Sequence, residues 1–188
     1  GAHVIVTDID VATGQRVAAD IVAAGGNAAF VAADVTKSAN VKALVQATLN
    51  LHGKLDVMVN NAGWTHRNQP ALDVSEDDFD RVVAVNMKAI YLAMCEVVPR
   101  LKANAPGHRG IRGVVLNMAS TAGVSPRPRL AWYNASKGWV ITATRASAVE
   151  LAPFGIRVNA LNPVAGETPL LATFMGEDTP AMRAKFLA

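Results

Sequence analysis

The chain has 188 residues, of which 51% are hydrophobic and 18% charged. This composition excludes a disordered protein and supplies the core of a single domain, residues 1–188. The net charge of +3 is small and spread along the chain, so we expect no nucleic-acid partner.

Neither a membrane nor a metal is expected. No apolar run reaches membrane-spanning length, and Gly1 opens directly into a strand-like segment with no signal peptide ahead of it. The four histidines show no metal-ligand spacing with Cys, Asp or Glu. Cys95 is the only cysteine and lies in an apolar helical stretch, so we expect a buried, reduced thiol. This favours a cytoplasmic protein.

Taken in order, the hydrophobic patterns alternate between strands and helices. Strands are predicted at 2–7, 28–33, 55–60, 113–118 and 156–161, and helices at 11–24, 38–51, 75–101 and 133–151. Gly25 and Gly155 mark helix ends, and Ser75 is the expected N-cap of the third helix. The nearly continuous apolar run 55–60 indicates a strand buried on both faces. The alternation predicts an α/β fold with a doubly wound parallel sheet, Rossmann-like, in three αβα layers.

Polar residues follow the predicted strands where each one ends. In a doubly wound sheet, ligands bind beyond the carboxyl ends of the strands. We therefore expect one site at this edge of the sheet, and the polar residues there are Asp8, Asp34, Asn61, Ser120 and Asn162.

The stretch from Ser120 to Lys137 carries proton-transfer chemistry. Tyr133 and Lys137 are four residues apart, so on a helix they share one face. A nearby ammonium group favours the phenolate and lowers the pKa of Tyr133 from about 10. Ser120 can donate to an oxygen that Tyr133 also touches, which would polarise a carbonyl. The alternative for this pair alone is a half-buried ring and a solvated amine.

The ordered set of motifs resembles the short-chain dehydrogenase/reductase family over essentially the whole chain. The motifs are Asn60-Asn61-Ala62-Gly63, Asn86, Ser120 ahead of Tyr133-x-x-x-Lys137, and Asn162-Pro163. The resemblance implies that Tyr133 is the acid/base and that Ser120 holds the substrate oxygen. It implies that Lys137 lowers the Tyr133 pKa and bonds the nicotinamide ribose, and that Asn86 holds a water linking the lysine to solvent.

The resemblance also implies a cofactor site. Asp8 ends a strand where a carboxylate accepts hydrogen bonds from ribose hydroxyls and repels a 2′-phosphate, which favours NAD over NADP. The alternative is that Asp8 or Asp10 caps the next helix. Asp34 could equally be a turn residue, and Asn60 is expected to tie neighbouring strands. The other expected cofactor contacts are Asp34 with Val35, Asn61-Ala62-Gly63, Tyr133, Lys137, Pro163, Val164 and Thr168.

The family's first βα unit, with its Gly-rich turn, has no counterpart in this sequence. The resemblance places that strand in the middle of the sheet, so its absence exposes two edges. The segments 64–69 and 167–188 are expected to flank the substrate, the second as a lid, with Arg67 a possible contact for an anionic group. The resemblance also implies a homo-oligomer, a dimer or tetramer, because the helices that start near Ser75 and Tyr133 form the family's usual bundle between subunits.

Together these expectations predict an NAD-dependent oxidoreductase whose substrate is a small-molecule secondary alcohol or ketone. Two alternatives stay open. One is an NADPH-dependent 3-oxoacyl thioester reductase, which Asp8 disfavours. The other is a non-catalytic nucleotide-binding scaffold, which the presence of Asn86, Ser120, Tyr133 and Lys137 disfavours.

Overall fold

The fold comes from a computed structural model, which describes residues 1–164, 166, 170–176 and 179–187. Strands and helices alternate as the sequence predicts. The strands are β1 His3–Asp8, β2 Asn27–Ala32, β3 Val57–Asn60, β4 Gly113–Met118 and β5 Ile156–Leu161. The helices are α1 Val11–Ala23, α2 Ser38–His52, α3 Glu76–Val83, α4 Ala89–Ala103, α5 Ala131–Leu151, α6 Leu170–Met175 and α7 Pro180–Leu187.

The described strands form two parallel sheets. One pairs β1 with β2, and the other has the order β3-β4-β5. A cavity of about 560 Å³ separates β1 from β3 and is lined on its two sides by Thr7 and Val59. The split agrees with the absence of a strand that the resemblance places mid-sheet.

One expectation about β3 is wrong. Val57 and Val59 are 56% and 47% exposed, so the strand is not buried on both faces. Val59 lines the cavity beside β3, which accounts for the exposure of this residue.

The main core joins the sheet to three helices. It contains Val45 of α2, Val97 and Leu101 of α4, Leu151 of α5, and strand residues of β4 and β5. A second cluster of Ile90, Ala119 and Val140 lies closer to the carboxyl ends of the strands. The packing fixes α4 and α5 against β4, which places the start of α5 beside the end of that strand.

Helices α3 and α4 form one continuous helical stretch, joined by a π-helical segment, Ala84–Lys88. Ser75 caps it by accepting a hydrogen bond from the Asp78 amide at 3.2 Å. By length and composition alone, Glu76–Ala103 is sufficient to cross a membrane, contrary to the sequence expectation. The core helix of a globular protein passes the same test, and 33% of the apolar window is buried in this fold.

Cys95 on α4 is exposed, so the prediction of a buried thiol is wrong. The apolar pattern of α4 places Ala93 and Val97 on the buried face, and Cys95 lies between them on the outer side.

Candidate active site

Tyr133 and Lys137 lie one turn apart on α5, and both side chains are buried. Tyr133 is 7% and Lys137 is 4% exposed. A lysine at this position on an ordinary solvated helix face would extend into water, so the alternative of a solvated amine is wrong. The helix begins at Ala131, two residues earlier than predicted, and its first turn brings Tyr133 next to Ser120.

Ser120 follows β4 and begins the 3-10 turn Thr121–Gly123. Its Oγ accepts a hydrogen bond from the Ala122 amide at 3.1 Å, and the Thr121 amide donates to the Pro163 carbonyl at 3.1 Å. These bonds tie the turn to the chain that follows β5. The Ser120 side chain also lies close enough to the Tyr133 hydroxyl to act on its pKa, and its Oγ donates to the Pro163 carbonyl at 3.5 Å. The two hydroxyl groups predicted to act on one substrate oxygen are thus adjacent.

The pKa of the Tyr133 hydroxyl differs from the sequence expectation. Burial raises the pKa above the usual value near 10, because the phenolate is poorly solvated there. The hydrogen bond from Ser120 and the positive charge of Arg127 both act to lower the pKa, but burial is the largest effect. The expected net lowering by Lys137 is therefore not found in this structure.

Lys137 contacts the backbone of β4 at the end nearest the site. Its Nζ donates to the Met118 carbonyl at 2.7 Å and lies 5.7 Å from the centroid of the Tyr133 ring. Burial lowers the Lys137 pKa from 10.5 to about 8. A Cβ on Gly63 would lie 3.5 Å from the lysine Nζ, so the Asn61-Ala62-Gly63 turn reaches the amine.

Asn86 lies between the turn that follows β3 and helix α5. Its Oδ1 accepts from the Trp64 amide at 2.8 Å, and its Nδ2 donates to the Trp64 carbonyl and to Ser136 Oγ, each at 2.9 Å. Ser136 Oγ donates in turn to the Tyr133 carbonyl at 2.7 Å. Asn86 thus links the turn after β3 to α5 through direct bonds. The predicted role in holding a water stays a prediction.

The expected cofactor residues Asp8, Asp34, Val35, Asn61 and Ala62 all line the 560 Å³ cavity. They lie at or just after the carboxyl ends of β1, β2 and β3, the edge at which a doubly wound sheet binds a dinucleotide.

The helix-cap alternative applies to Asp10 and not to Asp8. Asp10 caps α1 by accepting from the Thr13 amide at 3.0 Å. Asp8 Oδ1 accepts from the Asp10 amide at 2.9 Å, which orients its carboxylate.

Asp34 is a turn residue, as one alternative expects. Its Oδ1 accepts from both the amide and the hydroxyl of Thr36, at 2.9 and 2.6 Å, and the hydroxyl bond lowers the pKa of Asp34.

The expectation that Asn60 ties neighbouring strands is confirmed. It donates to Asn117 Oδ1 on β4 at 2.8 Å, and Asn117 donates to Thr144 Oγ1 on α5 at 2.9 Å.

Pro163 and Val164 lie beside the Ser120 turn. The Pro163 carbonyl accepts from the Thr121 amide, whereas the Val164 side chain is 66% exposed. Thr168 lies outside the described residues. Within the described part of the chain, no group of three His, Cys, Asp or Glu side chains is arranged to hold a metal ion.

Sequence reasoning did not assign two residues near this site. Arg127, between two prolines, is half-buried and its charge acts on Tyr133. His66 is fully buried, with Nδ1 2.7 Å from the Arg67 carbonyl and Nε2 without a hydrogen-bond partner among the described residues. No spacing pattern marks either residue, because only the tertiary fold brings their loops to the site.

A sequence model of the short chain dehydrogenase family matches residues 1–178. The chain belongs to the short-chain dehydrogenase family. It is therefore an oxidoreductase with a Rossmann-like nucleotide-binding fold. Structures that it resembles contain NADH, NAD⁺ or NADP, so an NAD(P) cofactor is typical of this short-chain dehydrogenase's relatives.

Among curated relatives, 4-formylbenzenesulfonate dehydrogenase of Comamonas testosteroni is 48% identical over 100% of this chain and 73% of its own length. Cyclopentanol dehydrogenase of a Comamonas species is 35% identical over 90% of this chain and 65% of its own length. The crystal structure of 3-ketoacyl-(acyl-carrier-protein) reductase from Brucella melitensis with NADH is 51% identical, with a TM-score of 0.87, over 93% of this chain and 70% of that one. The chain thus spans about two thirds to three quarters of these relatives.

Proposed function

We propose that this short-chain dehydrogenase uses NAD to interconvert a secondary alcohol and a ketone. The proximity of the Ser120 side chain to the Tyr133 hydroxyl, inside a buried site that also contains Lys137, carries the proposal. Two adjacent hydroxyl groups serve one substrate oxygen, and the buried setting strengthens their hydrogen bonds to it. The name of cyclopentanol dehydrogenase supports a secondary alcohol as the substrate class.

In this proposal, Tyr133 moves the proton and Ser120 holds the oxygen. For reduction, the Tyr133 phenol donates its proton to the carbonyl oxygen. For oxidation, the phenolate accepts the proton of the alcohol. A nicotinamide cofactor, held by Lys137 and Asp8, would supply or accept the hydride. Lys137, next to Gly63, is expected to bond the nicotinamide ribose, and Asn86 keeps the turn that contains Gly63 in place.

Asp8 supports NAD as the cofactor. Its exposed carboxylate lines the cavity at the end of β1, is oriented by the Asp10 amide, and would repel a 2′-phosphate. Val35, Ala62, Pro163, Val164 and Thr168 are proposed as further cofactor contacts.

The experiment is calorimetric titration of the full-length natural protein with NAD and with NADP, followed by a panel of secondary alcohols read at the absorbance of the reduced nicotinamide. Tight NAD binding with turnover supports the proposal. Binding of neither nucleotide contradicts it.

A second candidate is reduction of a 3-oxoacyl thioester. The 51% identity to a reductase of that name favours it, and that structure contains NADH, so the candidate does not require NADPH. Turnover of acetoacetyl thioesters far above that of simple ketones would select this candidate. A non-catalytic scaffold would bind NAD and turn over neither class.

We further propose a cytoplasmic homo-oligomer with small-molecule substrates and neither nucleic acid nor membrane as a partner. Phe79 of α3 and Trp132 of α5 form an exposed edge-to-face pair with centroids 5.4 Å apart, and Tyr91 of α4 is 59% exposed. These apolar side chains support a bundle between subunits. Sedimentation analysis tests this proposal, because a monomer at micromolar concentration contradicts it.

A further inference from the structure

Phe174 of α6 packs against the ring of Tyr133. Its ring meets the Tyr133 ring in an edge-to-face arrangement, with centroids 4.9 Å apart and planes at 60°. It also packs against the buried side chains of Ala122 and Leu130. The Phe174 ring is only half-buried, and it lies against the ring to which the proposed function assigns proton transfer.

Asn68 links Phe174 to the loop that precedes α5. Its Nδ2 donates to the Phe174 carbonyl at 2.9 Å, and its Oδ1 accepts from Arg129 Nε at 2.9 Å. The side-chain amide of Asn68 therefore binds the lid segment through its nitrogen and the loop before α5 through its oxygen. We call this pair of bonds the Asn68 bridge. Asn68 also packs closely against the end of α6, since a Cβ on Gly176 would lie 3.4 Å from the Asn68 Cβ. This packing supports the Asn68 bridge.

The loop end of the Asn68 bridge is itself fixed. Arg129 has a left-handed backbone, with φ of 66°, which an L side chain adopts only when its surroundings enforce it. The Gln69 amide donates to the Arg129 carbonyl at 3.0 Å, and Trp132 Nε1 donates to the Ala71 carbonyl at 3.0 Å. The position of Phe174 is therefore set by the same loop that leads into Tyr133.

We propose that Phe174 selects alcohols or ketones with an aryl ring on the reacting carbon, and that Asn68 is a positioning residue that holds Phe174 through the Asn68 bridge. The inference rests on the proposed function, of which it names the substrate class. Aromatic rings gain free energy from edge-to-face contact beyond what burial supplies, which corresponds to roughly a 2- to 10-fold preference in kcat/KM. An open-chain substituent has no such contact with Phe174.

The first test compares 1-phenylethanol with 2-butanol in the full-length natural protein. Phe174→Leu should lower the ratio of their kcat/KM values by about 3- to 10-fold. Phe174→Tyr keeps the ring and should leave the ratio within about twofold of the wild-type ratio. Equal losses on both alcohols after Phe174→Leu, or an unchanged ratio, would overturn the role of Phe174.

The second test isolates the Asn68 bridge. Asn68→Asp keeps an acceptor for Arg129 and loses the donor to Phe174, so the KM for 1-phenylethanol should rise about 3- to 10-fold with kcat within about twofold. Gln69→Ala is the matched control, because the Gln69 side chain donates only to the Asp73 carbonyl among the described residues. A KM no higher than that of Gln69→Ala would overturn the role of Asn68.

A separate readout distinguishes this inference from the proposed function. If the wild-type protein oxidises neither alcohol, the proposed function fails. The inference is then decided by calorimetric binding of acetophenone, which Phe174→Leu should weaken by about 2- to 10-fold. If Phe174→Leu leaves the acetophenone affinity unchanged, the inference is overturned. If the wild-type protein does oxidise the alcohols but Phe174→Leu leaves the ratio of their kcat/KM values unchanged, the inference is overturned and the proposed function stands.

Discussion

Substituting Gly123 tests whether the turn after Ser120 is set by close packing on α5. A Cβ at this position would lie 2.6 Å from the Lys137 carbonyl carbon and 2.8 Å from the Gly138 nitrogen. Ordinary contacts between such atoms begin near 3.5 Å, and both neighbours are helix backbone that cannot rotate aside. Gly123→Ala must therefore push the Thr121–Gly123 turn, and Ser120 with it, away from Tyr133.

The cost follows from this overlap. Overpacking of this kind typically destabilises a protein by about 1–3 kcal/mol. For a chain of this size, about 2 kcal/mol corresponds to a fall in Tm of about 4–8 °C. Displacement of Ser120 should also lower kcat/KM by about 10-fold or more, because one donor to the substrate oxygen is misplaced.

Gly138→Ala supplies the matched control from the other side of the same contact. A Cβ on Gly138 would lie 3.5 Å from the Gly123 carbonyl oxygen, which is an ordinary distance. Alanine also favours a helix over glycine by up to about 1 kcal/mol. Thermal unfolding and alcohol turnover are measured for both variants. Wild-type stability and activity in Gly123→Ala, or equal losses in the two variants, would refute the reasoning.

Three further predictions follow from the site. Asp8→Ala should raise the NADP to NAD ratio of kcat/KM by about 10-fold or more, whereas Asp10→Ala should cost about 1 kcal/mol of stability through loss of the cap without changing this ratio. Asn86→Asp removes the donor to Trp64 and Ser136 and should destabilise the fold by about 1–3 kcal/mol, and Asn50→Asp on the exposed face of α2 should not. The pKa of Lys137 is about 8 in the folded protein, whereas its ordinary value is 10.5. Between these two pH values the unfolded chain binds more protons than the folded protein does. The free energy of unfolding should therefore rise with pH in this window. Urea titrations should show that Lys137→Met removes this rise, and an equal rise in that variant would contradict the assigned pKa.

Much of the fold is predictable from local signals. The bounds of β4 and β5 match the predicted 113–118 and 156–161, because glycines or turn residues bracket both apolar runs. Polar residues at the strand ends predicted the edge of the sheet where Asp8 and Ser120 lie. The order of the motifs predicted the family, which the match over residues 1–178 confirms.

The remaining features depend on tertiary contacts that no spacing encodes. The π-helical segment Ala84–Lys88 places Asn86 on Trp64, across 22 residues of sequence. The bond from Asn68 to Phe174 spans 106 residues. The Tyr133 pKa also could not be predicted from the Tyr133–Lys137 spacing, because burial outweighs the favourable groups around the hydroxyl.

Tyr133→Phe tests most directly whether Tyr133 transfers the proton. This change removes one hydroxyl from a buried ring and keeps the edge-to-face contact with Phe174. Single-turnover hydride transfer with a secondary alcohol should fall by about 100-fold or more, since general acid/base groups contribute roughly 10²–10⁴-fold. NAD affinity, measured by calorimetry on the same sample, should stay within about threefold, a difference below about 0.7 kcal/mol. Hydride transfer at the wild-type rate with intact NAD binding would place the proton-transfer group elsewhere and contradict the account.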